Sequence, residues 1–434
     1  MKKSTFDQFV AEGFNHIPVF KEIVVDTDTA VGLYLKLGDR PYSYLFESVQ
    51  GGEKWGRYSI IGLPASTIVK VFEYEIHIEE NNKLIETQIV EDPLSWIEEF
   101  QQKYKVPKIE SLPEFNGGMV GYFGYEIIRY IEPRLSNISK PDELGVADIL
   151  LMVSNDLVVF DNLLNKAFVI THINPEESTY EEAIDKINQI KNQIDKPLKK
   201  YNNTKSNINE DDFISSFGED EYKKTVEKIQ QYIQAGDVMQ VVPSQRLSCK
   251  FEAPPIELYR QLRRLNPSPY MYYLNLEDVV IVGSSPEILT RVDSERNATV
   301  RPIAGTRSRG KNKKEDLELK NELLSDEKEI AEHLMLIDLG RNDLGRIAQT
   351  GTVKLTDKMF VENYSHVMHI VSNVECKLKD SMTSIDVLRA TFPAGTLSGA
   401  PKVRAMEIID EFEPIKRNIY SGAIGYLSWH GCMD

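Results

Sequence analysis

Strands and helices follow one another irregularly along this chain, and that irregularity most constrains the fold. Short β-rich pieces at residues 67–72, 75–78 and 157–160 are separated by turns, while helical patterns cover residues 93–104 and 178–194. There is no regular βαβ rhythm and no repeat at the periods of solenoid proteins. The pattern therefore favours an α+β fold over a doubly wound parallel sheet.

A polar stretch divides the chain into two halves. Residues 194–212 have little apolar periodicity and are typical of a linker. We therefore predict an N-terminal domain at 1–193 and a C-terminal domain at 213–434. The second half is predicted to begin with an amphipathic helix at 220–235, followed by strands at 238–242, 270–274, 279–282 and 299–303.

Composition excludes several classes of protein. The 434 residues are 41% hydrophobic and carry a net charge of −16, which predicts a globular protein and argues against general binding to nucleic acid or anionic membranes. No apolar run approaches the roughly 20 residues that a membrane helix needs, and the N-terminus lacks a signal core. Three scattered cysteines, Cys249, Cys376 and Cys432, predict a reducing compartment, so we expect a cytoplasmic protein.

Residues 391–404 concentrate glycines, hydroxyls and cations in a short segment. Gly395 and Gly399 let the backbone turn its amides toward a ligand, and Lys402 and Arg404 supply positive charge. A helix is predicted to begin at Pro401, with its positive end near the segment. The segment is interpreted as a cradle for a carboxylate; the alternative is an ordinary Gly/Pro loop that enters a helix.

A second segment, at 326–339, has the pattern of an amphipathic helix. Asp326 can cap it, and Glu329 can close a capping box. Glu329 and Glu332 are three residues apart on one face, a spacing that suits a hard divalent cation such as Mg²⁺. The alternative is that both are solvated glutamates of a charged helix. Residues 340–346 are predicted to form a polar turn after the helix.

A predicted strand runs into a glycine turn at residues 301–310. The free amides of this turn and the Thr306 hydroxyl could hold a carboxylate, whereas the alternative is a solvated arginine-rich loop.

Two histidines, His366 and His369, are three residues apart in another β-rich stretch. They would face opposite sides of a strand, so at most one points into a given pocket. An inward histidine can be a satisfied core residue or a general acid or base.

Taken in order, these motifs resemble those of the chorismate-utilising enzymes, and within that family the large subunits of anthranilate synthases. The resemblance implies an α+β, two-domain assembly of large antiparallel sheets packed face to face with helices outside. It also implies that the N-terminal domain is regulatory. The residues that carry the resemblance are 55–62, 117–126, 236–244, 301–306, 329–336, His369 and 391–404.

Within this resemblance, the residue at position 240 indicates which nucleophile the enzyme uses. The isochorismate and salicylate enzymes of the family have at this position a lysine that activates water, which glutamine cannot do, so Gln240 implies ammonia. Ala304 favours the anthranilate branch over the folate branch. The resemblance thus implies a lyase that makes anthranilate and pyruvate from chorismate for tryptophan biosynthesis. The alternatives are component I of aminodeoxychorismate synthase and a non-catalytic tryptophan-binding fragment.

The same resemblance implies roles for individual residues. Glu332, assisted by Glu329, would bind Mg²⁺. The residues implied in catalysis are His369, Thr396 and Gln240. Those implied in substrate binding are Gly305, Thr306, Thr396 and Tyr420. L-Tryptophan, as feedback inhibitor, would contact Glu47, Ser48, Pro267, Ser268, Tyr270 and Met271, for which the alternative is a strand end and a Pro-rich turn.

Two further expectations concern what the chain needs from elsewhere. None of its cysteines lies in the glycine-flanked turn of a glutaminase nucleophile, so ammonia is expected from a glutamine amidotransferase subunit or from solution. The resemblance also implies that family members continue for roughly sixty residues after the segment 431–434, beyond ordinary terminal fraying. That tract would carry an arginine clamp and a second acidic metal-binding motif, so poor or no turnover is expected of the chain as given.

Overall fold

The computed structural model describes residues 1–49, 57–136, 140–198, 207–364 and 366–434. Part of the predicted linker and the start of the 55–62 motif lie outside these ranges. Within these ranges, the helices of four or more residues are α1 Lys3–Ala11, α2 Ala30–Leu37, α3 Pro93–Gln102, α4 Ile128–Ile131, α5 Tyr180–Ile194, α6 Glu219–Ala235, α7 Pro255–Leu265, α8 Lys313–Ser325, α9 Glu327–Gly345, α10 Ser384–Thr391, α11 Gly395–Ser398 and α12 Lys402–Phe412.

The first half contains the strands β1 Ile17–Val24, β2 Ser43–Glu47, β3 Tyr58–Gly62, β4 Thr67–Phe72, β5 Glu75–Glu80, β6 Lys83–Ile89, β7 Gly118–Phe123, β8 Ile149–Ser154, β9 Asp156–Asp161 and β10 Lys166–Ile173. The second half contains β11 Ile214–Ser215, β12 Gln240–Val241, β13 Leu247–Ser248, β14 Tyr270–Asn275, β15 Val280–Ser285, β16 Arg291–Val292, β17 Asn297–Val300, β18 Ile303–Ser308, β19 Lys354–Asn363, β20 Val367–Lys377, β21 Gly399–Ala400 and β22 Ala423–Ser428.

Two large sheets dominate the molecule. One has seven strands in the order β1-β10-β9-β3-β2-β14-β15, and the other has six in the order β22-β7-β8-β4-β5-β6. A further sheet of β16-β17-β20-β18, with β19 beside β20, continues from β22 through bridges of Met433 to Val292 and Leu427. The strands that make up these sheets all pair antiparallel.

The sheets pack face to face, with helices on both outer surfaces. Between the sheets lies a core to which each contributes buried side chains, such as Tyr44 and Leu157 from one and Val120 and Met152 from the other. Helices α1, α2, α5 and α7 cover the outer face of the seven-stranded sheet, and α3, α9, α10 and α12 cover the other outer face. Burying apolar surface on both faces of a sheet requires such layers. The predicted α+β architecture is therefore confirmed.

Strands from both halves of the chain share the large sheets. β14 pairs with β2, so that Met271 lies opposite Glu47, and β22 pairs with β7. β14 and β15 form a hairpin in which Tyr270, the first residue of one strand, is opposite Ser285, the last residue of the other. The domain boundaries at 193 and 213 stay a prediction.

Local signals explain where several helices begin and end. The Asp92 side chain accepts hydrogen bonds from backbone N–H groups at the start of α3, Thr179 and Glu182 form a capping box on α5, and Gly236 ends α6 in the left-handed conformation. These helices agree with the predicted ranges to within two residues. None of the helices in the described ranges is both long and apolar enough to span a bilayer.

Two local predictions are wrong. The strand expected at 299–303 is divided into β17 and β18, because Pro302 between them has no N–H to donate to a ladder. The turn expected at 340–346 is the last part of α9. A Cβ on Gly340 would lie 2.9 Å from Val300, so this glycine permits close packing of the helix on the sheet.

Candidate functional site

A bulge between β18 and β20 brings three of the predicted residues together. Thr306 lies opposite His369 in the ladder, and the register shifts at Gly305, whose φ is +77°. The His369 Nδ1 is 3.0 Å from the Thr306 hydroxyl and 3.3 Å from the Gly305 carbonyl oxygen. Only a protonated Nδ1 can donate to that carbonyl, which leaves Nε2 as an acceptor. His366, outside β20, is exposed, so only His369 faces this bulge.

Glu329 approaches the same bulge from the first turn of α9. Its Oε2 lies 3.3 Å from the place that a Cβ on Gly305 would occupy, so glycine leaves room for the carboxylate. Its Oε1 is 3.2 Å from the Arg307 guanidinium. Asp326 caps α9 as predicted, by accepting from the N–H groups of Lys328 and Glu329. The predicted capping box is wrong, because the Glu329 side chain pairs with Arg307 instead of folding back onto the cap.

Gln240 joins the short strand β12 to the next turn of α9. Its Nε2 donates to Glu332 Oε1 over 3.2 Å, and its backbone pairs with Ala400 of β21. Its Oε1 is turned away from solvent and has no hydrogen-bond partner among the described residues. The side chain thus presents an unused buried acceptor beside a carboxylate.

The two glutamates of α9 fit a magnesium site only in part. Within the described ranges, no group of three or more His, Cys, Asp or Glu side chains is arranged to hold a metal ion. Glu329 and Glu332 nevertheless offer hard oxygen donors one turn apart, and Mg²⁺ commonly takes one or two carboxylates and completes its octahedron with water and substrate oxygens. The donor set fits Mg²⁺ in that manner, and the metal stays a proposal.

The segment 391–402 is a loop between α10 and α12 that contains the single turn α11. Its Thr396 hydroxyl donates to Glu287 Oε2 over 3.2 Å, and both residues line a cavity of about 50 Å³. The prediction that Lys402 and Arg404 supply positive charge to a bound carboxylate is wrong. Lys402 pairs with Asp343, and Arg404 pairs with Asp237 and Glu407, so neither positive charge is left for an anion.

Glu287, two residues after β15, was missed by the sequence analysis. Burial raises the pKa of its carboxyl to about 8, despite opposing bonds from Thr396 and the Ile303 backbone and the nearby charge of Arg301. The carboxyl is therefore protonated at neutral pH. An ionisable group with a strongly shifted pKa that lines a cavity is a candidate for catalysis. The only local signal was a glutamate after a strand and a proline.

Tyr420 does not line the cavity that Thr396 and Glu287 share. It is 52% exposed and lines a second cavity, of about 250 Å³. Its ring is 5.8 Å from the Arg417 guanidinium, which donates to the carbonyl of Leu397, next to Thr396. Tyr420 is thus connected to the Thr396 loop through one arginine.

The residues predicted to bind tryptophan meet where β2 and β14 pair. Glu47 accepts bonds from the Tyr259 hydroxyl over 2.6 Å and from Arg263 over 3.0 and 3.1 Å. The carbonyl of Ser268 accepts from the Val49 N–H, which brings the segment containing Ser48 against the turn containing Pro267. The Ser268 hydroxyl is buried without a partner in the part of the chain that is described. Tyr270 and Met271 begin β14 beside them.

Comparison with known proteins shows the family to which this chain belongs. The model of the family described as chorismate binding enzyme matches residues 45–434, and the chain belongs to that family. Anthranilate synthase component 1 of Pseudomonas putida is 53% identical over 438 aligned positions, which cover 100% of this chain and 89% of that protein. The resemblance found in the sequence is thereby confirmed.

Solved structures agree with this assignment. The crystal structure of anthranilate synthase component I from Streptococcus pneumoniae is 35% identical, with a TM-score of 0.77, and the match covers 95% of this chain and 88% of that one. The menaquinone-specific isochorismate synthase of Escherichia coli, at 17% identity and a TM-score of 0.67, shares the fold over 99% of this chain and 87% of its own. The alignments with the two Pseudomonas relatives cover 100% of this chain and 89% of each relative, and the comparisons do not bear out the expectation of poor or no turnover.

Proposed function

We propose that this chain is the catalytic subunit of an anthranilate synthase, which converts chorismate and ammonia to anthranilate and pyruvate in tryptophan biosynthesis. Relatives of that name match the whole chain at about half identity, as in Pseudomonas putida at 53% and Neisseria meningitidis at 54%. They do not favour the aminodeoxychorismate alternative. The observation in the site that carries the proposal is the environment of Gln240.

Gln240 suits a nucleophile that needs no base. Its Nε2 is occupied by Glu332, and its buried Oε1 can accept one N–H bond from ammonia. Ammonia is nucleophilic when uncharged, so orienting it is sufficient. An amide cannot take a proton from water at neutral pH, and hydroxylation of the ring is therefore disfavoured at this position.

Glu287 is proposed as the acid that protonates the leaving 4-hydroxyl. With a pKa near 8 it carries a proton at neutral pH, and the Thr396 hydroxyl orients the carboxyl. In this step ammonia forms a bond to C2, the bond from C4 to oxygen breaks, and water leaves with the proton of Glu287. The new ammonium group then loses a proton, which restores the neutral amine and the acid.

His369 is proposed for the second step, the elimination of pyruvate. Burial lowers its pKa, and Nδ1 donates to the Gly305 carbonyl, so Nε2 can accept the proton released from C2. The bond from C3 to the ether oxygen breaks at the same time, and the departing enol of pyruvate takes up a proton. The Gly305 bulge and the Thr306 hydroxyl are proposed to hold a substrate carboxylate, with Tyr420 at the margin of the site.

Glu332 and Glu329 are the residues proposed to hold Mg²⁺, which when bound would neutralise charge on a substrate carboxylate. The further proposals are a glutamine amidotransferase subunit as the source of ammonia, and L-tryptophan as an inhibitor bound between β2 and β14. The unused Ser268 hydroxyl supports the latter. Free thiols at Cys249, Cys376 and Cys432 support a cytoplasmic location.

The test is to incubate the purified chain with chorismate, MgCl₂ and an ammonium salt. We expect fluorescent anthranilate and pyruvate in equal amounts, and Gln240→Leu should lower kcat/KM for ammonia about tenfold, because it removes one buried hydrogen bond to the nucleophile. Gln231→Leu, on the exposed face of α6, is the matched control and should behave as wild type. A product whose mass retains the pyruvyl group, or no product at all, would contradict the proposal.

A further inference from the structure

A buried ion pair joins the two ends of the loop that carries Thr396. Lys402 Nζ is 2.8 Å from Asp343 Oδ2 and donates a second bond, of 2.9 Å, to the carbonyl oxygen of Thr391. Only 11% of the Lys402 side chain and 8% of the Asp343 side chain are exposed. Thr391 ends α10, Lys402 begins α12, and Asp343 belongs to α9. One ammonium group therefore closes the loop and fastens it to α9.

The loop has little freedom between its neighbours. A Cβ on Gly395 would lie 2.2 Å from Leu339 of α9, and a Cβ on Gly399 would lie 2.1 Å from the carbonyl oxygen of Gln240. At Gly399 the close neighbour is backbone and φ is +135°, so only glycine fits there, whereas at Gly395 the neighbour is the end of the Leu339 side chain. The loop is thus held between the helix that carries Glu329 and Glu332 and the strand that carries the proposed ammonia-binding glutamine.

Stability alone does not explain this ion pair. Removing both charges from water costs free energy that their attraction offsets only when all remaining bonds are satisfied. Asp343 Oδ1 has no partner within the described ranges. Burial raises the pKa of Asp343 and lowers that of Lys402, so each is shifted toward its neutral form. A packed apolar pair would fill the same space without this cost.

We propose that Lys402 and Asp343 are positioning residues, which fix the loop so that the Thr396 hydroxyl keeps the Glu287 carboxyl oriented. The bond from Thr396 to Glu287 is 3.2 Å long, so a small displacement of the loop would break it. This inference rests on the proposed function. Since the orientation of an acid matters when the leaving group departs, loosening the loop affects kcat more than substrate binding.

The test removes both charges at similar volume, with the double substitution Lys402→Met/Asp343→Leu. The chain offers a matched control in Lys36→Met/Asp28→Leu. Lys36 Nζ is 2.8 Å from Asp28 and 2.7 Å from the Ile194 carbonyl, with 12% and 14% of the two side chains exposed. We expect kcat for anthranilate to fall about 30-fold in the first variant and less than about twofold in the control, with KM for chorismate changed less than about threefold in both.

A second measurement does not depend on turnover. Amide hydrogen exchange at residues 392–400 should become faster in the Lys402/Asp343 variant and should not change in the control. Unchanged kcat, or unchanged exchange in the loop, would overturn the inference. If the apolar variant does not fold, Lys402→Gln/Asp343→Asn is judged by the same two criteria. If the wild-type chain makes no anthranilate, the proposed function fails, while loop exchange still decides whether the ion pair holds the loop.

Discussion

The proposed chemistry depends on single side chains whose surroundings change their properties. Glu287 differs from the many carboxylates of this acidic chain only in where it lies, at the wall of a small cavity, with its pKa raised to about 8 by burial. Gln240 is likewise defined by its surroundings, because Glu332 occupies its amide nitrogen and leaves its oxygen without a partner in the described structure. In both cases the residue type alone does not indicate the proposed role.

Glu287→Gln tests the acid. An amide oxygen can still accept the bond from Thr396, but an amide has no acidic proton, so we expect kcat to fall about 100-fold or more. Wild-type kcat should also fall as the pH rises through about 8, because the acid form is lost above its pKa. Both are measured by anthranilate formation at saturating chorismate.

Glu295→Gln, in an exposed turn, is the control and should retain wild-type kcat with the same pH dependence. A Glu287→Gln variant with more than about a tenth of wild-type activity would show that the proton comes from elsewhere.

At the scale of helices and strands, the sequence predicted those features that depend on interactions between residues close together in the chain. The helix α5 was predicted from its helical pattern at 178–194, and its capping box is equally local, because Thr179 and Glu182 are three residues apart. The charge of Lys402 was misassigned because its partner, Asp343, is 59 positions away in the sequence. Glu287 was missed for the same reason, since no pattern around a strand end indicates that it will enter a cavity built by distant elements.

The pairing of β2 with β14 supports a prediction for tryptophan. Ser268→Ala removes a buried hydroxyl that has no partner within the described residues, so the unfolding free energy should change by less than about 0.5 kcal/mol. If that hydroxyl binds the ligand, the affinity for L-tryptophan should fall about tenfold, as measured by titration calorimetry.

Ser43→Ala provides the contrast, because the Ser43 hydroxyl already bonds to Arg40 and Tyr34. That variant should be less stable but should bind tryptophan normally. Equal tryptophan affinity in Ser268→Ala and wild type would remove Ser268 from the proposed pocket.

At the scale of the whole molecule, an aromatic cluster brings together the residue that precedes β1 and the residue that follows β22. His16, just before β1, stacks on His172 of β10 with ring centroids 4.9 Å apart, and its edge contacts Tyr104 and Trp429 at 4.9 and 5.3 Å. Burial lowers the pKa of His16 to about 4. Between pH 4 and pH 6.5 the ring is therefore mostly neutral in the folded molecule and mostly protonated in the unfolded chain.

His16→Phe tests the linkage between pH and folding. The folded pKa is below the unfolded value of 6.5, so the contribution of His16 to stability is complete above that pH and is lost as the pH falls toward 4. For each unit by which the pH falls across this window, the unfolding free energy of the variant should rise by about 1.4 kcal/mol relative to that of wild type, as measured by urea unfolding. Ile17→Val, a buried neighbour that does not titrate, should differ from wild type by a constant amount; a constant difference for His16→Phe would refute the prediction.

The hairpin of β14 and β15 brings the two ends of its strands to the same place. Tyr270, in the proposed tryptophan pocket, faces Ser285, and Glu287 follows two residues later. An effector bound at the start of this hairpin would therefore contact a strand whose paired neighbour, Ser285, lies two residues before the proposed acid Glu287. Inhibition by L-tryptophan bound there would not require a conformational change transmitted across the sheets, because a displacement of Tyr270 would act directly on its paired residue Ser285.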